Sequence, residues 1–212
     1  MTNQARRLAR EEITRATMLR LGVRVTELPE RPRGDCMIAA HEAAHGVLAE
    51  HYGLTVHHVA IDGHRGSGIM APRRIDAPLP FVDAPHSERE RRGANEDIII
   101  TLAGAAVEHL LFGFATSGIE FDIADAWRSA KIYAEAERVN AIVAQWNATL
   151  HLVSARRIAI ENVAGHLLRR TYLTGGELRR ILSGADAPDD LYRRMCAVHP
   201  GTHPDYWPIH WQ

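Results

Sequence analysis

One apolar run dominates this sequence. Residues 98–107 are almost wholly aliphatic, and residues 110–112 extend the run. Gly104 lies inside it, and Glu108 and His109 interrupt it. The run is too short and too polar to span a bilayer, which takes about 20 apolar residues. It is therefore expected to form a buried core helix, against which the rest of the chain packs. With 212 residues, 46% of them hydrophobic, the chain can bury one ordinary core.

The other elements follow from their punctuation. Residues 4–21 read as a charged amphipathic helix. Pro29, Pro32 and Gly34 mark a loop, and Asp35 is placed to cap a helix running to about His51 and stopping near Gly53. Residues 54–61 are rich in β-branched side chains and read as a strand. Asp62-Gly63 is a turn signal, and residues 67–71 fit a second strand. Residues 72–85 hold four prolines and read as a loop. Ser87 and Glu90 form a capping-box signature for the apolar helix, which Gly113 ends, with a break near Gly93. Asp122 is expected to open a helix to about Val139, with helical pattern from Asn140 to about Tyr172. Thr174 and Glu177 give a second capping box before a short helix, and residues 189–198 fit one more. The fold class expected is mainly α, with a small β-hairpin or sheet beside the helix of residues 35–51. The divisions expected are an N-terminal helix and linker (1–34), a central domain (35–185) and a C-terminal extension (186–212).

Several function classes are set aside by composition. The formal net charge is -1, which gives no electrostatic footprint for nucleic acid or an anionic membrane. There is no G-x-x-x-x-G-K-[ST] phosphate loop. The first twenty residues are polar, so we expect no secretory signal. Cys36 and Cys196 are far apart and fit neither a zinc knuckle nor a disulfide framework. A reducing, cytoplasmic compartment is expected, with Cys36 as a small packing residue.

The residues that carry chemistry are His41, Glu42 and His45, in the order His-Glu-Ala-Ala-His. A four-residue spacing puts both imidazoles on one helical face, one turn apart, where they can share a Zn²⁺ ion. Glu42 can reach a water at the metal without being a ligand. Zinc acidifies such a water and polarises a carbonyl, and a neighbouring carboxylate moves the proton to the leaving amine. Ala39, Ala40, Ala43, Ala44 and Gly46 let neighbouring elements approach this helix closely. A catalytic zinc takes a third protein ligand. Glu108, costly to bury unpaired, and Asp122 are both candidates, with Asp125 as a fallback one turn on. Spacing does not choose between them. His57 and His58 alternate on a strand and are not expected to bind metal. His64 and Arg65 follow the turn and are expected to be solvated. His109 is a candidate contact beside Glu108. His151 and His166 read as ordinary helix residues, and His199, His203 and His210 as weak surface sites. Trp207 and Trp211 are candidates to dock the tail.

These segments resemble the peptidase domain of the FtsH-type AAA-linked zinc metalloproteases. His41–His45 resembles that family's H-E-A-G-H. Residues 102–113, LAGAAVEHLLFG, resemble its L-G-G-R-A-A-E-E-L-x-F-G. Residues 116–122, TSGIEFD, resemble its T-T-G-A-x-N-D, with Ala126 and Ala130 at the family's spacing. Residues 154–182 are similar to the helical end of that domain. The likeness covers residues 36–183, in the family's order. It implies that Asp122 is the third zinc ligand, with His41 and His45, and that Glu108 is a supporting carboxylate. It implies metalloendopeptidase activity on peptides or unfolded protein, with Glu42 as general base and then acid. Residues 67–70 sit where the family has a substrate-pairing strand; an ordinary hairpin strand is the other reading. The chain departs from the family at Ala44, at Phe121 and over residues 136–149. It also lacks the ATPase module and membrane helices, so a separate AAA ATPase is a candidate partner, as is a second copy of this chain. The alternative function is a catalytically inactive, zinc-stabilised binding or regulatory domain derived from such a protease.

Overall fold

The computed structural model describes residues 3–30, 33–62, 65–70, 87–116 and 118–197. The architecture is mainly α with a small amount of sheet. In chain order the elements are α1 (Asn3–Leu21), β1 (Val25–Thr26), α2 (Arg33–His51), β2 (Val56–Asp62), β3 (Arg65–Met70), α3 (Glu88–Phe112), β4 (Ala115–Thr116), α4 (Ile119–Ser129), α5 (Arg138–Ala155), α6 (Arg157–Arg170), β5 (Tyr172–Thr174), α7 (Gly175–Leu182) and α8 (Leu191–Ala197). Two short 3-10 turns, Ala130–Ile132 and Glu135–Glu137, join α4 to α5.

Two helices form the centre. In α2 the buried residues run nearly all round the helix, from Cys36 through Ala39, Ala40, Ala43 and Ala44 to Leu48 and Ala49. A helix apolar on every side belongs inside a domain, and α2 packs on α3, α5, α6, α7, α8 and both strands of the hairpin. The apolar run is the inner half of α3, with Ile98, Ile100 and Leu102 fully buried. Each such side chain contributes about 1.5–3 kcal/mol relative to exposure. The capping box forms: Glu90 N–H donates to Ser87 Oγ at 3.2 Å, and Ser87 N–H donates to Glu90 Oε2 at 2.7 Å. Gly113, at φ 77°, ends the helix in the left-handed region that glycine tolerates. α5 covers α3 with Ile142, Trp146, Thr149 and Val153, a spacing that lines one helical face.

The three-stranded sheet has the order β3-β2-β5, with both pairings antiparallel. α2 packs against β2 and β3, and among the described residues β3 is an edge strand of this sheet. A second pair, β1 and β4, is parallel, with Val25 opposite Ala115 and Thr26 opposite Thr116. The N-terminal segment is tied in by this pair, by buried Leu21 and Val23, and by Trp127 Nε1 donating to Thr17 Oγ1 at 3.0 Å.

Some sequence expectations change. Asp35 lies inside the first turn of α2, which starts at Arg33, so it is not the cap. α3 is unbroken at Gly93, because one central glycine costs about 1 kcal/mol and the packing of α3 outweighs it. The helix at Asp122 starts earlier, at Ile119, and stops at Ser129 instead of near Val139. The helical stretch from Asn140 is two helices that meet at Arg156, with φ -101° and ψ 9°. β5 is unforeseen: Tyr172–Thr174 leaves the helical pattern to pair with β2. The loop of residues 72–85, the Gly63 turn with His64, and the tail with His199, His203, Trp207, His210 and Trp211 lie outside the described residues. Among the described residues no helix is long and apolar enough to cross a membrane.

Candidate metal centre

His41 and His45 sit one turn apart on α2, and α4 brings Asp122 to them. The three form a group whose ligand atoms all lie within 4.8 Å of one another. Asp122 is oriented by its neighbours on α4. Ile119, Ile123 and Ala126 are fully buried and fix that face on α3, so Asp122, on the adjoining flank, is aimed at the imidazoles.

Each imidazole is held from behind. His41 Nδ1 donates to Glu108 Oε1 at 3.0 Å, and His45 Nδ1 donates to the Ile100 carbonyl at 2.8 Å. Both acceptors are on α3. These bonds fix the tautomers, leaving each Nε2 to face the other at 3.0 Å. The Asp122 oxygens lie 3.4 Å from His41 Nε2 and 3.8 Å from His45 Nε2. Glu108, only 2% exposed, accepts three hydrogen bonds. The Thr116 N–H donates to its Oε2, and the Thr116 hydroxyl donates to its Oε1 at 3.2 Å. Since Thr116 is held in β4 by β1, a chain of contacts runs from the N-terminal strand through Thr116 and Glu108 to His41.

Gly104 makes room for this arrangement. A methyl group there would lie 2.5 Å from His41 Cδ2 and nearer still to Cε1 and Nε2. The bare backbone of α3 is thus the floor under the His41 ring.

Electrostatics follow from the crowding. Burial pushes the His41 imidazolium down, but the Asp122 carboxylate and the hydrogen bond to Glu108 outweigh it and hold the group at about 10. Burial and the charge on His41 push His45 down to about 4. Burial raises Asp122 to about 6, against the pull of His41. Burial also raises Glu42, which is 8% exposed and feels both histidines.

The residues fit a zinc ion. A tetrahedral ion with bonds of about 2.1 Å separates its ligands by about 3.4 Å; the two Nε2 atoms are 3.0 Å apart, and Asp122 approaches them at 3.4 Å through Oδ2 and at 3.8 Å through Oδ1. Two neutral nitrogens and one carboxylate suit zinc chemistry. The buried Asp122 Oδ2 has no hydrogen-bond partner among the described residues, and a cation would satisfy it.

The other candidates fall elsewhere. Glu108 touches His41 from behind and is outside the three-residue group. Asp125 is 53% exposed and pairs with Arg128 at 2.8 Å. His109 packs on the Trp146 ring with centroids 6.0 Å apart. His58 stacks on Tyr172, and His57 is exposed. His151 is exposed on α5, and His166 is buried on α6. Phe121, next to Asp122, is 79% exposed on the rim. Sequence reasoning missed the Ile100 carbonyl, Thr116 and the use of Gly104. Only Gly104 left a local signal, as a glycine inside the apolar run of a helix.

No protein-family model matches the chain, and no curated protein matches it.

Proposed function

We propose that this chain is a zinc-dependent endopeptidase of the FtsH-type kind, acting on peptides or unfolded polypeptide. The observation that carries the proposal is the locking of both Nδ1 atoms by α3, which leaves both Nε2 atoms beside the Asp122 carboxylate that α4 brings to them. A set preorganised in this way is of little use to a helix that only packs. His41, His45 and Asp122 would hold the ion, which supplies a Lewis acid and acidifies a water when bound.

The remaining chemistry belongs to this chain's own groups. Glu42, raised by burial, is a stronger base than an exposed carboxylate. It takes a proton from the attacking water and returns it to the leaving nitrogen as the peptide bond breaks. Glu108 keeps the His41 ring in its tautomer and orientation. β3, at the edge of its sheet and packed on α2, offers main-chain groups to an extended peptide. A separate AAA ATPase that delivers unfolded chains, and self-assembly, belong to the same proposal.

The test is cleavage of an unfolded protein such as casein by wild type and by Glu42→Gln, with bound zinc counted in both. We expect about one zinc per chain in each and cleavage by wild type alone. Zinc in both with cleavage in neither, with or without added ATPase, overturns the peptidase and leaves a zinc-stabilised binding domain. No zinc in either overturns the metal centre itself.

A further inference from the structure

α1 and β1 form an arm that meets two of the elements behind the metal centre. At β1 the contact is main-chain. The Ala115 N–H donates to the Arg24 carbonyl at 2.8 Å, and Val25 and Thr26 pair with Ala115 and Thr116. Thr116 in turn holds Glu108, the acceptor for His41. At α1 the contact is with α4, the helix that carries Asp122. Thr17, 1% exposed, donates its hydroxyl to the Ile13 carbonyl at 2.8 Å and accepts from Trp127 Nε1 at 3.0 Å. An indole N–H can only donate, so this bond fixes where Trp127 sits on α1.

The placement of Trp127 bears on Asp122. α4 rests on α3 by a narrow stripe, Ile119, Ile123 and Ala126. At 3.6 residues per turn, Trp127 and Asp122 lie on opposite flanks of that stripe, about 140° apart around the helix axis. So narrow a ridge resists rolling weakly, and the Thr17 bond holds one flank. The Asp122 carboxylate stands about 6 Å from the axis, so a roll of about 10° carries it about 1 Å. Metal-ligand distances tolerate only about 0.2 Å.

We propose that this arm is a positioning element of the metal centre, with Thr17 as its positioning residue, and that arm docking and metal binding strengthen one another; this rests on His41, His45 and Asp122 holding zinc, and not on peptidase activity. The arm braces His41 through Thr116 and Glu108, and Asp122 through Trp127. Coupling of this kind is reciprocal. Whatever factor the docked arm adds to metal affinity, bound metal adds to the docking of the arm. One hydrogen bond sets the size of the Thr17 route, about 2–10-fold.

The full chain is followed by amide hydrogen exchange, metal-free and zinc-loaded, and by zinc competition titration of wild type, Thr17→Val and Thr17→Ser. We expect zinc to slow exchange across residues 12–26 at least about 2-fold. Thr17→Val keeps the side-chain shape but removes the acceptor for Trp127. Its Kd for zinc should rise about 2–10-fold, with a smaller slowing of exchange by zinc. Thr17→Ser retains the hydroxyl and should restore the wild-type Kd. A Thr17 that only stabilises the fold would lower the melting midpoint of metal-free Thr17→Val and leave its Kd for zinc unchanged, and that result overturns the proposal. Exchange across residues 12–26 that zinc does not alter overturns it too, and this wild-type comparison decides even if Thr17→Val folds poorly. Wild type that binds no zinc overturns the metal centre along with the coupling, whereas bound zinc with an indifferent arm overturns the coupling alone.

Discussion

Gly104→Ala should injure the metal centre while improving the local helix chemistry, and that opposition makes it decisive. Gly104 is interior to α3, where alanine is intrinsically better than glycine by about 1 kcal/mol. If space were available, the variant would be more stable than wild type. The structure leaves none. The new methyl would lie 2.5 Å from His41 Cδ2 and closer to Cε1 and Nε2, whereas ordinary contact begins near 3.4 Å. The ring must therefore move by about 1 Å, the difference between those two distances. It cannot slide freely, because its Nδ1–H is bound to Glu108 Oε1 at 3.0 Å, and Glu108 is itself held by Thr116. Overpacking costs about 1–3 kcal/mol, and weakening a charged hydrogen bond costs about 1.5–3 kcal/mol. After the helix gain is set against these, we expect a net loss of about 1.5–5 kcal/mol, or roughly 2–4 °C of melting midpoint per kcal/mol. Losing the Glu108 contact alone lowers metal affinity by about 10–100-fold. The assays are a zinc competition titration against a chromophoric chelator and a thermal melt followed by circular dichroism. A variant that melts higher than wild type and binds zinc equally well would refute the idea that the bare backbone at Gly104 seats the ring.

Three further outcomes test the same site. In Glu108→Gln only one acceptor oxygen remains for the His41 N–H, the Thr116 N–H and the Thr116 hydroxyl, so one buried donor loses its partner. We expect a loss of about 1–3 kcal/mol in the melt and about 10–100-fold in zinc affinity; wild-type values for both would show that Glu108 is a packing residue. Asp122→Ala should leave less than one zinc per chain by elemental analysis, while Asp125→Ala, at an exposed ion pair, keeps the wild-type count. Equal loss in both variants would point to Asp125 as a ligand. Zinc affinity should fall as pH falls, because the metal displaces protons. From pH 6 up to 10 only His41, held at about 10, must give up a proton, so log K rises by about one per pH unit. Between pH 4 and 6 the Asp122 carboxyl, held at about 6, adds a second proton, and the slope becomes about two. Competition titrations from pH 5 to 8 read both slopes, and a flat profile above pH 6.5 would mean that His41 is already neutral there.

What the sequence made legible was whatever is written in short-range chemistry. Both capping boxes, Ser87 with Glu90 and Thr174 with Glu177, form where their spacing puts them, since a cap needs only three residues of local geometry. The apolar run is internal because it is too apolar for a surface and too short and polar for a membrane span, and the four-residue histidine spacing fixed their shared face as soon as α2 was helical. The boundaries drawn from propensity fared worse. The helical pattern runs to about Tyr172, but Tyr172–Thr174 pair with β2, because a tertiary partner outweighs a propensity difference of a few tenths of a kcal/mol per residue. The start of α4 at Ile119 is set by burying Ile119 against α3, a contact that no local signal encodes.

The same distinction divides the metal centre. The residues facing the metal position are chemically unusual for a helix and stand out in one dimension. Those that hold them from behind do not. A main-chain carbonyl at Ile100 has no side-chain signature, and Thr116 is an ordinary threonine until β1 fixes it beside Glu108. Yet these supports decide which nitrogen of each imidazole is free, and without that choice two histidines one turn apart are only two histidines. The order of dependence therefore runs opposite to the order of legibility. The motif is read first, but α3 and the β1–β4 pair are what set the orientation of its imidazoles.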